Sequence, residues 1–271
     1  MRSRMTLSNG VTVSYSTYGN GAPLVLVHGG FSDDVTNWEF VKPLLEDAFT
    51  IFAIARRGRG ETTATQGHTL EDEARDVVAL IEKIGQPVFL LGHSYGARCS
   101  LVVAEMIPSR IRKLVVYEPP RPGLMSREEF KRLEALAAAS DWDNFACTFF
   151  RDVLHVPEKE LQEVRASDLW PPILSDAKAS LGDLSALNCH EFIAERYRKV
   201  DCPVLLQIGS ESRRDLWATD MLAATLSNAR IETLEGQAHE GMTTAPEQYA
   251  ASVRKFFLGQ GKSSNSAWFE T

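Results

Sequence analysis

Cysteine, long apolar runs and positive charge are all scarce in this sequence. Its four cysteines among 271 residues include no closely spaced pair, so we expect reduced thiols and no bound metal. No stretch approaches the roughly 20 apolar residues that a transmembrane helix needs. The N-terminal segment "MRSRMTLSNG" is basic but has no apolar run behind it, unlike a secretory signal. We therefore expect a cytoplasmic protein that makes no contact with membranes.

Acidic residues outnumber basic ones. The chain has 36 Asp and Glu against 29 Lys and Arg, which gives a formal net charge of −7 at pH 7. This balance argues against a nucleic-acid backbone or an anionic membrane as partner. Hydrophobic residues make up 44% and charged residues 24% of the chain, an ordinary mixture for one globular domain or one domain with an insertion.

Strand-like and helix-like segments alternate in the first half of the chain. The strand-like segments are continuous apolar runs or alternating patterns: "VTVSYSTYG", "PLVLVHGG", "TIFAIARRGRG", "QPVFLLGHS" and "RKLVVYEPP". Between them lie the helix-like segments "EFVKPLLEDAF", "LEDEARDVVALIEKIG" and "GARCSLVVAEMIPSRI". Because Val, Leu and Ile runs that alternate with helices are typical of a parallel sheet covered on both faces, we predict an α/β fold.

This alternation stops after Glu118. From about residue 124 to 200 the sequence favours helices, and the next buried strand pattern is "CPVLLQIGS". We therefore predict a core formed by residues 1–118 and 203–260, with a helical insertion at residues 119–202. The polar residues 261–271 are expected to form a flexible tail.

The motif "LLGHSYGA", residues 90–97, is the strongest functional signal. It places Ser94 between Gly92 and Gly96, after a buried strand and at the start of a helix, which is the context of a nucleophile elbow. The glycines permit a tight turn, and the serine oxygen would stand beside a helix N-terminus that favours developing negative charge. The alternative is a serine N-cap on an ordinary turn.

With this motif the chain resembles the α/β-hydrolase superfamily over nearly its whole length. The resemblance extends from "LVLVHGG" through "RRGRGET" and "LLGHSYGA" to "LEGQAHEG". It implies a mostly parallel central sheet flanked by helices, with the insertion as a lid and no cofactor. It also implies an oxyanion hole in which backbone N–H groups of Tyr95 and of Gly30 or Phe31 bind the developing charge.

An arginine-glycine turn is common in this family at the position of "ARRGRGET". Arg56, Arg57 and Arg59 could also suggest contact with nucleic acid. We interpret them instead as solvated charges on a structural turn.

His239 is the candidate base among six histidines. It lies in "LEGQAHEGM", after the strand-like segment "RIETLEG" and before the helix-like segment "PEQYAASVRKFFLG", where the resembled family keeps its base. A serine hydroxyl is a poor nucleophile until a base accepts its proton, so we predict that His239 serves Ser94 in this role. The alternative is a histidine on a surface loop.

The acid is absent from the position that relatives usually use. Three residues after the glycine that ends "PVLLQIG", the chain has Ser212, and Glu211 and Asp215 could serve only with a rearranged loop. Glu118 ends the strand that follows the elbow helix, 24 residues after Ser94. Some superfamily members take their acid from this place. Since neighbouring parallel strands lie about 5 Å apart, we predict Glu118 as the acid, with Glu211 and Asp215 as alternatives.

The aromatic residues of the insertion suggest an apolar substrate. Trp170 lies in "DLWPP", which resembles an irregular turn, and we expect its indole N–H to face a cavity. We predict hydrolysis of a carboxylic ester or lactone through an acyl-enzyme. A carbon–carbon bond hydrolase or a perhydrolase on the same triad is one alternative, and a non-catalytic small-molecule receptor is another. A homodimer is left open.

Overall fold

An eight-stranded sheet forms the centre of the computed structural model, which describes residues 1–259. The strands are β1 (Arg2–Thr6), β2 (Thr12–Tyr18), β3 (Ala22–Val27), β4 (Phe49–Ile54), β5 (Val88–His93), β6 (Ile111–Tyr117), β7 (Val204–Gly209) and β8 (Ala229–Leu234). Their order is β1-β2-β4-β3-β5-β6-β7-β8. β2 pairs antiparallel with β1 and β4, and the other neighbours are parallel. The predicted tail, residues 261–271, lies outside the described residues.

Helices cover the sheet and form the insertion. They are α1 (Leu70–Ile84), α2 (Tyr95–Met106), α3 (Arg127–Ala138), α4 (Trp142–Thr148), α5 (Glu158–Arg165), α6 (Trp170–Cys189), α7 (Ala194–Tyr197), α8 (Thr219–Thr225), α9 (Gly241–Thr244) and α10 (Pro246–Leu258). None of the helices within residues 1–259 is long and apolar enough to cross a membrane.

Both faces of the sheet are buried, which confirms the predicted α/β fold. Successive side chains of a strand point to opposite faces. In β3, Leu24 packs in the layer that contains Phe257 of α10, whereas Val25 packs in the layer that contains Leu80 of α1. Every residue of β5 and of β7 is buried. This double coverage explains why the central strands consist of continuous apolar runs.

Local hydrogen bonds and a glycine set the two ends of α1. The Thr69 side chain accepts a hydrogen bond from the Asp72 N–H, and the Asp72 side chain accepts one from the Thr69 N–H. This reciprocal capping satisfies two N–H groups that the helix itself cannot pair. At the other end, Gly85 adopts a left-handed conformation with φ 79° and ends the helix.

Some elements differ from the prediction. The segment "EFVKPLLEDAF" forms no α-helix, and its only helical piece is the 3₁₀ turn Lys42–Leu44. Pro43 lies in this turn, and a proline removes an N–H and obstructs the preceding helical turn. The sequence also did not predict β1, which pairs along its whole length with β2.

The helical insertion, residues 119–202, contains α3 to α7 and a π-helical turn at Phe149–Val153. Its longest helix, α6, was not predicted because Pro171 and Pro172 suggested an irregular turn. Both prolines lie in the first turn of α6. Proline is tolerated there, because the first N–H groups of a helix have no acceptor within it.

Leu26→Ala in β3 should lower the free energy of unfolding by about 2–5 kcal/mol, because the buried leucine would leave a cavity. Leu258→Ala is the matched control, since Leu258 is 50% exposed and its truncation should change this free energy by less than about 0.5 kcal/mol. Urea titrations followed by circular dichroism measure both values. Equal losses in the two variants would contradict the packing described for β3.

Candidate active site

Ser94 occupies a strained turn between β5 and α2. Its backbone has φ 52° and ψ −120°, a region that costs a non-glycine residue about 1–3 kcal/mol. The Ser94 N–H donates to the carbonyl oxygen of Tyr117 at 2.9 Å, which joins the turn to β6. The Ser94 side chain makes no capping hydrogen bond to α2. Its hydroxyl is therefore not used as a helix cap, which was the alternative interpretation of the motif.

Gly92 and Gly96 allow the strand and the helix to approach this closely. A Cβ on Gly96 would lie less than 3.0 Å from the carbonyl oxygens of Val27 and His28. A Cβ on Gly92 would lie 2.5 Å from the carbonyl oxygen of Gly96 and 2.7 Å from Cα of Ala97. These neighbours are backbone atoms, so a side chain at either position would separate α2 from the sheet.

Glu118 and His239 lie in direct contact. Oε2 of Glu118 is 2.7 Å from Nδ1 of His239, and Oε1 accepts a hydrogen bond from the Gly209 N–H at 2.8 Å. Glu118 is fully buried, whereas 20% of the His239 side chain is exposed. Both oxygens of the buried carboxylate thus have a donor, as a buried charge requires.

The parallel register of three strands brings these groups to one edge of the sheet. His93 of β5 pairs with Tyr117 of β6, and Tyr117 pairs with Gln207 of β7. Ser94 and Glu118 are the next residues after β5 and β6. Because the three strands run in the same direction, both side chains emerge at their carboxyl ends, which is where open α/β sheets bind ligands.

Two opposing effects act on the pKa of His239. Burial of the ring lowers the pKa, but the hydrogen bond to Glu118 and the negative charge of Glu118 raise it by more. The resulting pKa lies above the ordinary value of 6.5. In the neutral ring, the contact with Glu118 places the proton on Nδ1 and leaves Nε2 free to accept a proton.

Two neighbouring side chains anchor the loop that carries His239. The Tyr117 hydroxyl donates to the carbonyl oxygen of Ala238. Nε2 of His93 lies 3.1 Å from the carbonyl oxygen of His239. Burial and the nearby His239 keep the pKa of His93 well below its ordinary value, so His93 is neutral. His93 therefore supports the loop and does not compete as a base.

Trp217 was not predicted from the sequence, and its indole stacks on the ring of His239. The ring centroids are 4.4 Å apart and the planes differ by 8°. Trp217 follows β7, and a β-bridge joins it to Pro120, just after Glu118. The face of an indole attracts a cation, so this stacking favours a protonated His239. The only sequence signal was the position of Trp217 in the loop where relatives carry the acid.

Glu211 and Asp215 lie at the surface. Glu211 accepts a hydrogen bond from the Ser210 hydroxyl at 3.0 Å. Asp215 forms a salt bridge with Arg213 at 2.7 Å, and its side chain is 63% exposed. Among the residues that the structure describes, Glu118 is the carboxylate in contact with His239.

The predicted oxyanion donors come from two segments near Ser94. Tyr95 is the first residue of α2, where a backbone N–H has no acceptor within the helix. The second segment follows β3. A Cβ on Gly29 would lie 3.2 Å from Cβ of Ser94, so this segment passes directly beside the elbow.

Gly30 and Phe31 differ in whether their N–H groups are already bound. The Phe31 N–H donates to Oγ of Ser180, in α6, at 2.8 Å. The Gly30 N–H has no hydrogen-bond partner within residues 1–259. Of the two predicted donors, Gly30 is therefore the one whose N–H is available.

The arginines of "ARRGRGET" are buried, so the prediction that they are solvated is wrong. Each forms salt bridges with buried carboxylates at 2.6–2.8 Å: Arg56 with Glu73 and Asp183, Arg57 with Asp76, and Arg59 with Asp183. The partners lie in α1 and α6. None of these carboxylates lies within the motif "ARRGRGET". The sequence therefore suggested that water solvates the three guanidinium groups.

Trp170 begins α6, and its indole N–H donates to Oδ1 of Asp143 at 2.8 Å. The N–H is thus paired within the insertion and does not face a cavity. The Trp170 ring packs on Phe150 at a centroid distance of 6.3 Å, and Phe150 packs on Phe31 at 5.0 Å. Trp170 is therefore connected to the segment after β3 by aromatic packing, and its contact with a substrate stays a prediction.

A comparison with family models identifies the family to which the chain belongs. The model described as "Alpha/beta hydrolase family" matches residues 24–252, which is most of the chain. This protein therefore belongs to the α/β-hydrolase family. The matched range includes Gly30, Ser94, Glu118 and His239.

Relatives indicate an enzyme of the α/β-hydrolase type. A non-heme chloroperoxidase of Streptomyces lividans is 27% identical over 269 residues, covering 90% of this chain and 95% of that protein. A bifunctional esterase/perhydrolase of Acinetobacter calcoaceticus is 25% identical over 231 residues, covering 77% and 82%. A solved α/β hydrolase of Sphaerobacter thermophilus has a TM-score of 0.82 at 28% identity, covering 94% of this chain and 100% of that one.

Glu118→Gln should lower the pKa of His239, because the variant removes the negative charge while the burial of the ring persists. An NMR titration of the His239 ring protons measures this pKa without any substrate. Glu211→Gln is the matched control and should leave the pKa unchanged, since Glu211 lies at the surface. A Glu118→Gln variant with the wild-type pKa would contradict the contact.

The same pair links stability to pH. Because the pKa of His239 in the folded state is raised above 6.5, the pair stabilises the fold fully below pH 6.5. This contribution is lost as the pH rises through the folded-state pKa, so the difference in unfolding free energy between wild type and Glu118→Gln should shrink at alkaline pH.

Proposed function

We propose that this protein is a serine hydrolase that cleaves carboxylic esters or lactones through an acyl-enzyme. Ser94 is the nucleophile, His239 the general base and Glu118 the acid of the triad. The observation that carries the proposal is the 2.7 Å contact between Glu118 and His239, at the sheet edge that also carries the strained turn of Ser94. This is the constellation that serine hydrolysis needs.

The first half of the reaction forms the acyl-enzyme. Nε2 of His239 takes the proton of the Ser94 hydroxyl as Oγ attacks the carbonyl carbon of the substrate. Glu118 stabilises the imidazolium that results, and the stacked Trp217 favours the same charged form. The proton then passes to the oxygen of the leaving alcohol. The bond between this oxygen and the carbonyl carbon breaks, and the acyl group remains on Ser94.

The second half releases the acid. His239 takes a proton from water, and the oxygen of that water attacks the acyl carbon. The proton returns to Oγ of Ser94 as the acyl bond breaks. In both halves a negative charge develops on the carbonyl oxygen, and we assign its binding to the N–H groups of Tyr95 and Gly30. Two such donors lower the barrier by several kcal/mol.

We further propose that the helical insertion acts as a lid over an apolar part of the substrate. Phe31 follows Gly30, and its ring packs on Phe149 and Phe150 of the insertion at centroid distances of 5.0 Å each. This aromatic group lies beside the segment that would bind the oxyanion. It therefore favours an apolar or aromatic acyl group.

A perhydrolase on the same triad is a second candidate, since the relatives of Streptomyces lividans and Acinetobacter calcoaceticus carry the names non-heme chloroperoxidase and esterase/perhydrolase. In that reaction hydrogen peroxide replaces water in the second half. Its oxygen attacks the acyl carbon, the bond to Oγ of Ser94 breaks, and a peracid leaves. Formation of peracid from an ester and peroxide would distinguish this activity from hydrolysis alone.

A fluorophosphonate probe should label wild-type protein and fail to label Ser94→Ala, because only an activated serine attacks the phosphorus. Intact-protein mass spectrometry measures the adduct. Ser227→Ala, which removes an exposed serine between α8 and β8, is the control and should be labelled like wild type. Labelling that persists in Ser94→Ala would exclude Ser94 as the nucleophile.

Glu118→Gln should reduce kcat on an activated ester by about 10²- to 10⁴-fold, because the imidazolium loses its counter-charge and the ring loses its fixed tautomer. Glu211→Gln and Asp215→Asn should remain within about twofold of wild type, as expected for surface carboxylates. Initial rates on p-nitrophenyl esters measure the three variants. The reverse ranking would refute Glu118 as the acid.

Absence of wild-type turnover across a panel of esters and lactones, together with tight ligand binding, would favour the alternative of a non-catalytic small-molecule receptor.

A further inference from the structure

Asp183, in α6, is a buried carboxylate that holds two arginines. It accepts hydrogen bonds from Nη1 and Nη2 of Arg56 at 2.9 and 2.8 Å, and from Nη1 and Nη2 of Arg59 at 2.9 and 2.6 Å. Burial raises the pKa of Asp183, but the two guanidinium groups lower it by more, so the net pKa lies well below its ordinary value. Asp183 is therefore ionised throughout the working pH range.

Arg56 connects this carboxylate to the segment before Gly30. Its Nε donates to the carbonyl oxygen of His28 at 2.9 Å, and its Nη2 donates to the carbonyl oxygen of Gly29 at 2.7 Å. The Arg56 backbone N–H also lies 3.1 Å from Nε2 of His28. Arg56 therefore fixes both peptide groups that precede Gly30.

Ser180 connects the same helix to the residue after Gly30. Its Oγ accepts the Phe31 N–H at 2.8 Å and a hydrogen bond from Nη2 of Arg59 at 3.0 Å. Phe31 has φ 54°, a conformation that a non-glycine residue keeps only where its surroundings hold it. α6 thus holds the chain on both sides of Gly30.

We propose that Asp183 and Ser180 are positioning residues. They couple the packing of α6 against the core, which we call its seated position, to the conformation of the oxyanion loop, residues 28–32. When α6 is seated, the Phe31 N–H is committed to Ser180, and the Gly30 N–H is the donor that remains available. When α6 moves away, Ser180 leaves the Phe31 N–H and Asp183 leaves Arg56, so the loop relaxes. The inference rests on the proposed function, because it assigns the oxyanion donors of that reaction.

Charge favours the seated position strongly. If α6 withdrew, Arg56 would keep Glu73, but Arg59 would lose its carboxylate partner within the described residues. Withdrawal of α6 would therefore separate opposite charges that now lie 2.6–2.8 Å apart. A buried ion pair adds little stability compared with apolar side chains, so stability alone does not explain this network. The network is instead explained if residues 28–32 adopt their active conformation only while the insertion is seated.

Asp183→Asn and Ser180→Ala test the coupling on an activated short-chain ester. Each variant should lower kcat about tenfold or more while KM stays within about threefold, because a displaced oxyanion donor weakens binding of the transition state and not of the ester. Asp152→Asn is the matched control. It removes salt bridges to Arg132 and Arg151 inside the insertion and does not touch the loop.

Hydrogen exchange read by mass spectrometry is a second measurement that needs no turnover. Residues 28–32 should exchange faster in Asp183→Asn and Ser180→Ala than in wild type and Asp152→Asn. Ser180→Ala leaves every charge paired, so it keeps the test valid if Asp183→Asn does not fold. Wild-type kcat with unchanged exchange in Ser180→Ala would overturn the inference, as would equal losses in Asp152→Asn. An inactive wild type with faster loop exchange in the variants would refute the proposed function and retain the coupling.

Discussion

The buried contact between Glu118 and His239 is the constraint on which the rest of the site depends. A carboxylate without solvent needs a donor at each oxygen, and here the donors are His239 and the Gly209 N–H. Both are available only because β6 ends beside β7, and because the loop after β8 returns over that edge. The loop after β7 then carries no acid in contact with His239, and it places Trp217 on the ring instead.

A second buried carboxylate, Asp183, is linked through Arg56 to the segment that follows β3. Glu118 acts on the base, whereas Asp183 reaches the oxyanion loop through Arg56. The two carboxylates come from different parts of the fold, the end of a core strand and a helix of the insertion. In the reaction that we propose, proton transfer and charge stabilisation are therefore supported by separate networks. In this proposal the insertion contributes to the chemistry as well as to substrate recognition.

Much of the fold and part of the candidate site could be predicted because they follow from local patterns. Continuous apolar runs marked β3, β5, β6 and β7, and the glycines around Ser94 marked the elbow. Because Ser212 occupies the usual position of the acid, the sequence favoured Glu118 instead. The prediction of solvated arginines failed because their partners are distant in sequence. The buried arginines needed carboxylates from α1 and α6, and α6 itself was hidden by prolines that its first turn tolerates.

The sequence by itself determined the central strands, the strained serine turn and the candidate base, since these depend on residues close together in the chain. Only the tertiary structure decided which carboxylate meets His239, because that depends on the register of three parallel strands. It also decided that Trp217 covers the ring and that α6 holds the loop around Gly30. Such contacts join segments far apart in the chain, and no local pattern encodes them.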